Sequence, residues 1–175
     1  MKILAIDPGF DVTGWAFFSW DHRPLTLQDA LDGLKRPGEI STATSEPLEY
    51  RLASIGFQAS HLVGTIEPDA IVVEMPTFAG SYTGGRERRA GVNKLYMAIG
   101  ALLSHFEGAP VFTRPAIKKP KAERHELLAL AARSLSFELP TGPRGGERQD
   151  MWDAIWLGCE FILDHWFVRP EKNHG

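Results

Sequence analysis

Four acidic residues stand where carboxylates could do chemistry. Asp7 ends a short apolar run and precedes a Pro-Gly turn, and Glu74 ends a second apolar run. Asp150 and Asp153 are three residues apart near the C-terminus, which places both on one face of a helix. If the two strands are parallel neighbours, their carboxyl ends meet at the edge where open α/β sheets bind ligands. The spacing therefore predicts one site built from all four acids.

Converging carboxylates repel one another unless a cation neutralises them. The chain has one cysteine and six scattered histidines, so oxygen-seeking Mg²⁺ or Mn²⁺ is favoured over zinc. Two such ions a few ångströms apart could activate a water and stabilise the leaving oxygen of a phosphodiester. Each acid also has a structural interpretation, as a turn residue, a solvated strand end or a partner of the helix dipole. The coincidence of all of them at one predicted edge favours the site.

Apolar runs and periodicity define the elements that must position these acids. They predict strands over 2–7, 12–20, 38–44, 69–74 and 110–113, and helices over 46–66 with Ser45 as N-cap, 92–106, 122–135 and 149–166. Loops are expected over 75–89 and 141–148, and residues 21–36 give no clear signal. Strands followed by alternating helices and strands predict an α/β fold, with one mixed five-stranded sheet flanked by helices. The strands that follow the two crossover helices should be parallel to their neighbours.

Composition bounds the class of protein. The 175 residues suit a single domain over 1–175, with 43% hydrophobic and 23% charged residues. A single cysteine excludes an internal disulfide and suits a reducing compartment. There is no signal-peptide core and no apolar run of membrane-spanning length, so a cytoplasmic protein is expected. A net charge of -3 gives no overall basic field and by itself argues mildly against a nucleic-acid partner.

Local basic groups nevertheless exist within this acidic total. They are Arg86, Arg88 and Arg89, then Lys118, Lys119, Lys121 and Arg124, and finally Arg144 with Arg148. The first and last groups belong to glycine-rich segments, where mobile arginines could contact phosphates. Phosphate contacts position DNA without reading its bases, so selectivity for DNA structure with little sequence preference is expected. For any one of the lysines Lys118, Lys119 and Lys121, a solvated basic helix start is the alternative interpretation.

Three stretches in this order carry a resemblance to a known family. ILAIDPGFDVTGWAFF, IVVEMP and QDMWDAIWLG resemble the RuvC family of Holliday-junction resolvases. The shared pattern is an apolar strand ending in Asp-Pro-Gly and followed by Thr-Gly, a strand ending in Glu, and a helix that starts Asp-x-x-Asp-Ala. The resemblance extends over nearly the whole chain, and residues 21–36 and 75–90 match poorly.

The resemblance implies an RNase H-like fold, a homodimer and Mg²⁺-dependent hydrolytic nicking of branched DNA in recombination and repair. It implies that Asp7, Glu74, Asp150 and Asp153 are catalytic ligands of two Mg²⁺ ions, for which Mn²⁺ can substitute. Two active sites in a two-fold dimer would suit symmetric paired nicks across a four-way junction.

The resemblance also implies DNA contacts outside the acids. The segment RPAIKK is similar to the basic segment of the family. On that match Lys118 or Lys119 contacts the scissile or neighbouring phosphates, and Lys121 or Arg124 could do the same. Phe78 stands close to where the family carries an aromatic residue that reaches into the junction, with packing in its own loop as the alternative. The helix over 92–106 is a candidate dimer surface, with core packing as its alternative.

Other functions remain open at this point. An RNase H-like nuclease of other forked DNA or of RNA fits the same residues. A sugar-kinase or actin-like phosphotransferase also carries Asp, Gly and Thr in its first hairpin, but that architecture needs two such domains. The spacing from Gly9 to Gly14 matches a P-loop, but Trp15 stands where lysine is required. A nucleic-acid-binding module without catalysis is disfavoured because all four acids are present.

Overall fold

A computed structural model of the protein describes residues 1–76, 86–106, 108–115, 126 and 149–164, with the backbone alone for 86–90. Within these residues the strands are β1 (Lys2–Asp7), β2 (Val12–Ser19), β3 (Leu34–Ser41), β4 (Ala70–Met75) and β5 (Val111–Pro115). The helices are α1 (Leu27–Asp32), α2 (Leu48–Ile66), α3 (Arg86–Leu103) and α4 (Gln149–Asp164). The helix predicted over 122–135, the loop over 141–148 and the end of the last helix lie outside the described residues.

The strands form one mixed sheet in the order β3-β2-β1-β4-β5. β1 is antiparallel to β2 and parallel to β4, and β4 is parallel to β5. This confirms the predicted five-stranded sheet and the predicted parallel neighbours. Ile6 pairs with Val73, so Asp7 and Glu74 are the next residues of two adjacent strands.

Helices cover both faces of the sheet, because the side chains of each strand alternate between the faces. On one face Ile3 and Ala5 of β1 pack in a core with Ile155 and Phe161 of α4. On the other face Leu4 packs in a second core that includes residues of α2 and α3. Trp152, Trp156 and Cys159 of α4 are all buried in the first of these cores.

The segment without a sequence signal contains α1 and the start of β3. Thr26 caps α1 with its side chain, and the carboxylate of Asp29 accepts the Thr26 N–H in return. The indole N–H of Trp20 donates to the carbonyl of Asp29, which fastens the short helix to the end of β2. β3 begins four residues before the predicted position. Pro37 obscured it in the sequence, although an edge strand tolerates proline.

The predicted starts of two helices are wrong. α2 begins at Leu48 with Pro47 as N-cap, not after Ser45. Its predicted end at Ile66 is confirmed, and the C-cap Glu67 adopts a left-handed φ of 49° and donates its N–H to the carbonyl of Val63. α3 begins at Arg86, six residues before the predicted start. The arginines of 86–89 are therefore helical and do not belong to the preceding loop.

The predicted core interpretation of the helix over 92–106 holds for its inner face, where Ala98, Ile99 and Leu102 are buried. Val92 and Met97 are exposed on its outer side, and the dimer surface there stays a prediction. In the described part of the chain, no helix combines the length and the apolar character needed to cross a bilayer.

Candidate active site

The turn between β1 and β2 is locked at its base by two residues. A Cβ atom on Gly9 would lie 1.9 Å from the carbonyl oxygen of Val12, so the turn requires glycine there. Thr13 is fully buried, and its hydroxyl accepts the Gly9 N–H at 3.3 Å and donates to the Gly9 carbonyl at 2.9 Å. Asp7 consequently stands immediately before a turn of fixed shape.

Asp7 and Glu74 lie on the same face of the sheet. Asp7 follows Ile3 and Ala5 in the alternation of β1, and both of those residues pack on the α4 side. Glu74 follows Val72, which belongs to the same core. Asp7 and Glu74 are half-buried, and the Oε2 atom of Glu74 is itself buried. The two acids therefore share both an end of the sheet and the face covered by α4.

The start of α4 is pressed against β2 beside Asp7. Gly14 is the pairing partner of Asp7. A Cβ atom on Gly14 would lie 1.9 Å from the carbonyl oxygen of Asp150 and 2.7 Å from the nitrogen of Met151. The first turn of α4 can approach this closely only because Gly14 has no side chain. Asp150 is half-buried, and Asp153, one turn further along, is 6% exposed.

The backbone thus brings the four predicted acids to one end and one face of the sheet. The side chains do not stand in ligand positions around a common point: across 1–76, 86–106, 108–115, 126 and 149–164, no three Asp, Glu, His or Cys side chains are grouped closely enough to hold a metal ion. The donor chemistry does fit a hard divalent cation, because every group at this position is a carboxylate. Binding of a cation would therefore require these side chains to move toward a common point.

A cation to which the sequence analysis gave no role lies on the strand next to Glu74. Arg114 of β5 pairs in register with Glu74. Its guanidinium donates to Glu160 at 3.4 Å and to Asp164 at 2.8 Å, both on α4, and lies 5.9 Å from the ring centroid of Phe161. Arg114 therefore fastens the edge strand to the far end of α4. Its partners lie more than forty positions away, so no local pattern indicated the role.

Three of the ten predicted DNA-contact residues lie in the part of the chain that the structure describes. Arg86, Arg88 and Arg89 lie in the first turns of α3, and their side chains are not among those described. The remaining predicted contacts all lie outside the described residues: Phe78, Lys118, Lys119, Lys121, Arg124, Arg144 and Arg148. Their roles stay predictions from the sequence.

Solved structures of other proteins share the fold of this chain. RuvC of T. thermophilus, solved in complex with a Holliday junction substrate, superposes with a TM-score of 0.68, and 94% of each chain is covered at 21% sequence identity. The chain has the RuvC fold. A further structure of Thermus thermophilus RuvC gives a TM-score of 0.64 at 21% identity, covering 93% of this chain and 94% of the other.

The RuvC fold also links the chain to a more distant protein. The yeast mitochondrial Holliday junction resolvase gives a TM-score of 0.61 at 13% identity, with 92% of this chain and 77% of the other covered. No protein-family model and no curated protein matches the sequence. The predicted RNase H-like α/β architecture is confirmed by these structures.

Proposed function

We propose that this protein is a structure-selective endodeoxyribonuclease that resolves Holliday junctions by symmetric paired nicking. The observation that carries the proposal is the contact of Gly14 with Asp150, which brings the acids of α4 beside Asp7 and Glu74. In a sheet with the RuvC fold, this is the carboxyl end of the parallel strands, where a ligand is expected. Resolution of junctions would place the protein in DNA recombination and repair.

The proposal includes two Mg²⁺ ions held by Asp7, Glu74, Asp150 and Asp153, with Mn²⁺ as a substitute. Such a pair of ions supplies an activated water and stabilises the oxygen that leaves the phosphodiester. Burial supports this assignment, because a carboxylate that binds a metal ion must be held in place, and Asp153 is enclosed by its neighbours. Asp7 and Glu74 lie on strands, and Asp150 and Asp153 lie on a helix. Regular elements position side chains more precisely than loops do.

The proposed substrate sets the remaining requirements. Paired nicks on opposite strands need two active sites, which a two-fold homodimer provides. The predicted basic residues would contact the DNA backbone and orient the junction. Because the net charge is -3, binding should depend on these local groups and weaken steeply with added salt.

Cleavage of labelled substrates tests the proposal. The protein is incubated with a four-way junction, a Y-fork, a linear duplex and an RNA–DNA hybrid, in Mg²⁺, Mn²⁺ or EDTA. Paired symmetric nicks in the junction are expected with either metal and none with EDTA. Asp7→Asn should abolish nicking, and Glu74→Gln should abolish nicking while junction binding persists.

A matched control removes the same charge elsewhere. Asp32→Asn alters α1, which is fastened to the opposite end of β2 through Trp20, and should cut like the natural sequence. Equal cleavage of forks and junctions would replace the proposal by a general nuclease of branched DNA, and cleavage of the hybrid would extend it to RNA. Nicking in EDTA would exclude the metal assignment.

A further inference from the structure

A buried cation on the other side of the sheet is bound to the turn that follows Asp7. Arg51 of α2 is only 5% exposed, which is rare for an arginine unless it is paired. Its Nε donates to the hydroxyl of Thr42 at 2.9 Å. Its Nη2 donates to the carbonyl of Phe10 at 3.2 Å and to the carboxylate of Asp11. Two of these three partners belong to the turn itself.

The ring of Phe10 adds two cation–π contacts to these hydrogen bonds. The guanidinium carbon of Arg51 lies 3.9 Å from the ring centroid, and the ammonium nitrogen of Lys94 lies 5.5 Å from it. Both distances are within the range of a cation–π contact. Since Arg51 belongs to α2 and Lys94 to α3, the tip of the turn is held by two helices.

Thr42, just beyond β3, closes the network. Its N–H donates to the carbonyl of Asp11 at 3.2 Å, and its hydroxyl donates to the carbonyl of Phe10 at 3.4 Å. The last residue pair between β1 and β2 is Asp7 with Gly14, so the tip lies beyond the paired part of the hairpin. The shape of the turn is set at its tip by Arg51 and Thr42, and at its base by the hydrogen bonds between Thr13 and Gly9.

We propose that Arg51 is a positioning residue for Asp7, acting through Phe10 and Asp11 to fix the turn and with it the main chain from which the Asp7 carboxylate reaches a divalent cation. This inference rests on the proposed function. The physical reason is pre-organisation: a turn that is ordered during folding does not have to be ordered again when the cation binds. Arg51 touches neither the cation nor DNA in this role.

Mn²⁺ binding to the full-length protein, followed by water-proton relaxation without DNA, tests the assignment. Arg51→Met keeps an apolar stem in the core and removes every hydrogen bond of the guanidinium. It should raise the dissociation constant for Mn²⁺ by up to about tenfold, the lower end of the effect of losing a group that hydrogen-bonds a metal ligand directly. Arg51→Lys retains the charge and one donor toward the turn, and should recover part of the affinity.

The matched control is Val63→Ala. Val63 is buried in the same helix, about 18 Å further along its axis, so the change destabilises α2 without reaching the turn. It should leave the affinity for Mn²⁺ unchanged. Amide hydrogen exchange supplies a readout without metal: Arg51→Met should speed exchange at residues 10–13 and leave β1 protected, which Val63→Ala should not do.

If Arg51→Met does not fold, Asp11→Asn tests the same network from its exposed side and should shift both readouts in the same direction by less. Unchanged Mn²⁺ affinity in Arg51→Met or Asp11→Asn, beside a natural protein that binds Mn²⁺, would overturn the role of Arg51 alone. A loss of affinity matched by Val63→Ala would reduce Arg51 to a structural residue. A natural protein that binds no Mn²⁺ would overturn the metal proposal together with this inference, whatever the exchange rates show.

Discussion

Gly14 in β2 and the main chain of Asp150 in α4 are in contact so close that no side chain fits between them. A Cβ atom at Gly14 would lie 1.9 Å from the carbonyl oxygen of Asp150 and 2.2 Å from its carbonyl carbon. Both of those atoms are backbone, so a change of rotamer cannot relieve the overlap. The Thr-Gly pair that ends the first turn therefore has two functions: the threonine closes the turn, and the glycine admits the last helix.

Gly14→Ala should displace the first turn of α4 from β2. We expect a loss of about 1–3 kcal/mol in the free energy of unfolding, as for other overpacked sites, and a large loss of junction cleavage. Gly64→Ala is the control, because a Cβ atom there meets no atom within 4 Å. Alanine in that helix should be neutral or stabilising by about 0.5–1 kcal/mol. Urea unfolding and the cleavage assay check both variants, and natural cleavage by Gly14→Ala would contradict the close contact.

Thr13→Val keeps the shape of the side chain and removes the hydroxyl that holds Gly9. Both polar groups of Gly9 then lose their contact with residue 13, which should cost about 1–3 kcal/mol in the free energy of unfolding. Thr13→Ser keeps the hydroxyl and should recover most of that loss. Equal stability of the valine and serine variants in urea would show that packing, not hydrogen bonding, is what Thr13 contributes.

Lowering the pH should weaken the capping of α1 by the Asp29 carboxylate. The pKa of Asp29 is held below its usual value of 3.8, chiefly by the N–H of Leu25 and then by the side chain and N–H of Thr26. Because the charged form is favoured in the folded state, its contribution is complete above the usual pKa and is lost as the pH falls through the lowered one. The Tm difference between the natural protein and Asp29→Asn should therefore be constant near neutral pH and shrink below about pH 4. A difference that stays constant down to pH 2 would contradict this assignment.

Cys159 should be inert while the protein is folded. Complete burial raises the pKa of its thiol far above the usual range, and only the thiolate reacts with alkylating reagents. Iodoacetamide at pH 8 should leave the folded protein unmodified and add one label after unfolding in urea, since the chain has a single cysteine. Mass spectrometry measures the outcome, and rapid labelling without urea would show that the core around α4 opens.

The sequence predicted best those elements whose own residues explain their stability. β1, β4 and the start of α4 are contiguous apolar or periodic segments, and each was located within a residue at the end that carries an acid. α1 was missed because it is only six residues long and depends on the contact between Trp20 and Asp29. The start of α3 was missed because its first residues, Arg86 to Arg89, are polar and follow a glycine-rich segment.

In the candidate site, too, the sequence predicted what depends on local periodicity and missed what depends on distant contacts. The common face of Asp7 and Glu74 follows from the two-residue period of strands, and that of Asp150 and Asp153 from the helical period. The roles of Arg51 and Arg114 could not be foreseen, because each guanidinium binds partners from a distant element. Long-range partners of a charged residue are set by the packing of whole elements, for which a single sequence carries no local signal.

The order of the elements along the chain has a consequence for synthesis. Asp7 belongs to the first strand, whereas Asp150 and Asp153 belong to α4, which is the last of the described elements to be synthesised. Chains fold from the N-terminus as they emerge from the ribosome, and contacts between remote segments form late because loop closure is slow. A nascent chain that lacks α4 would therefore carry only half of the proposed ligand set. The proposed nuclease would become active only after α4 has been synthesised and has packed on β2, which would protect nucleic acid from partly made copies of the enzyme.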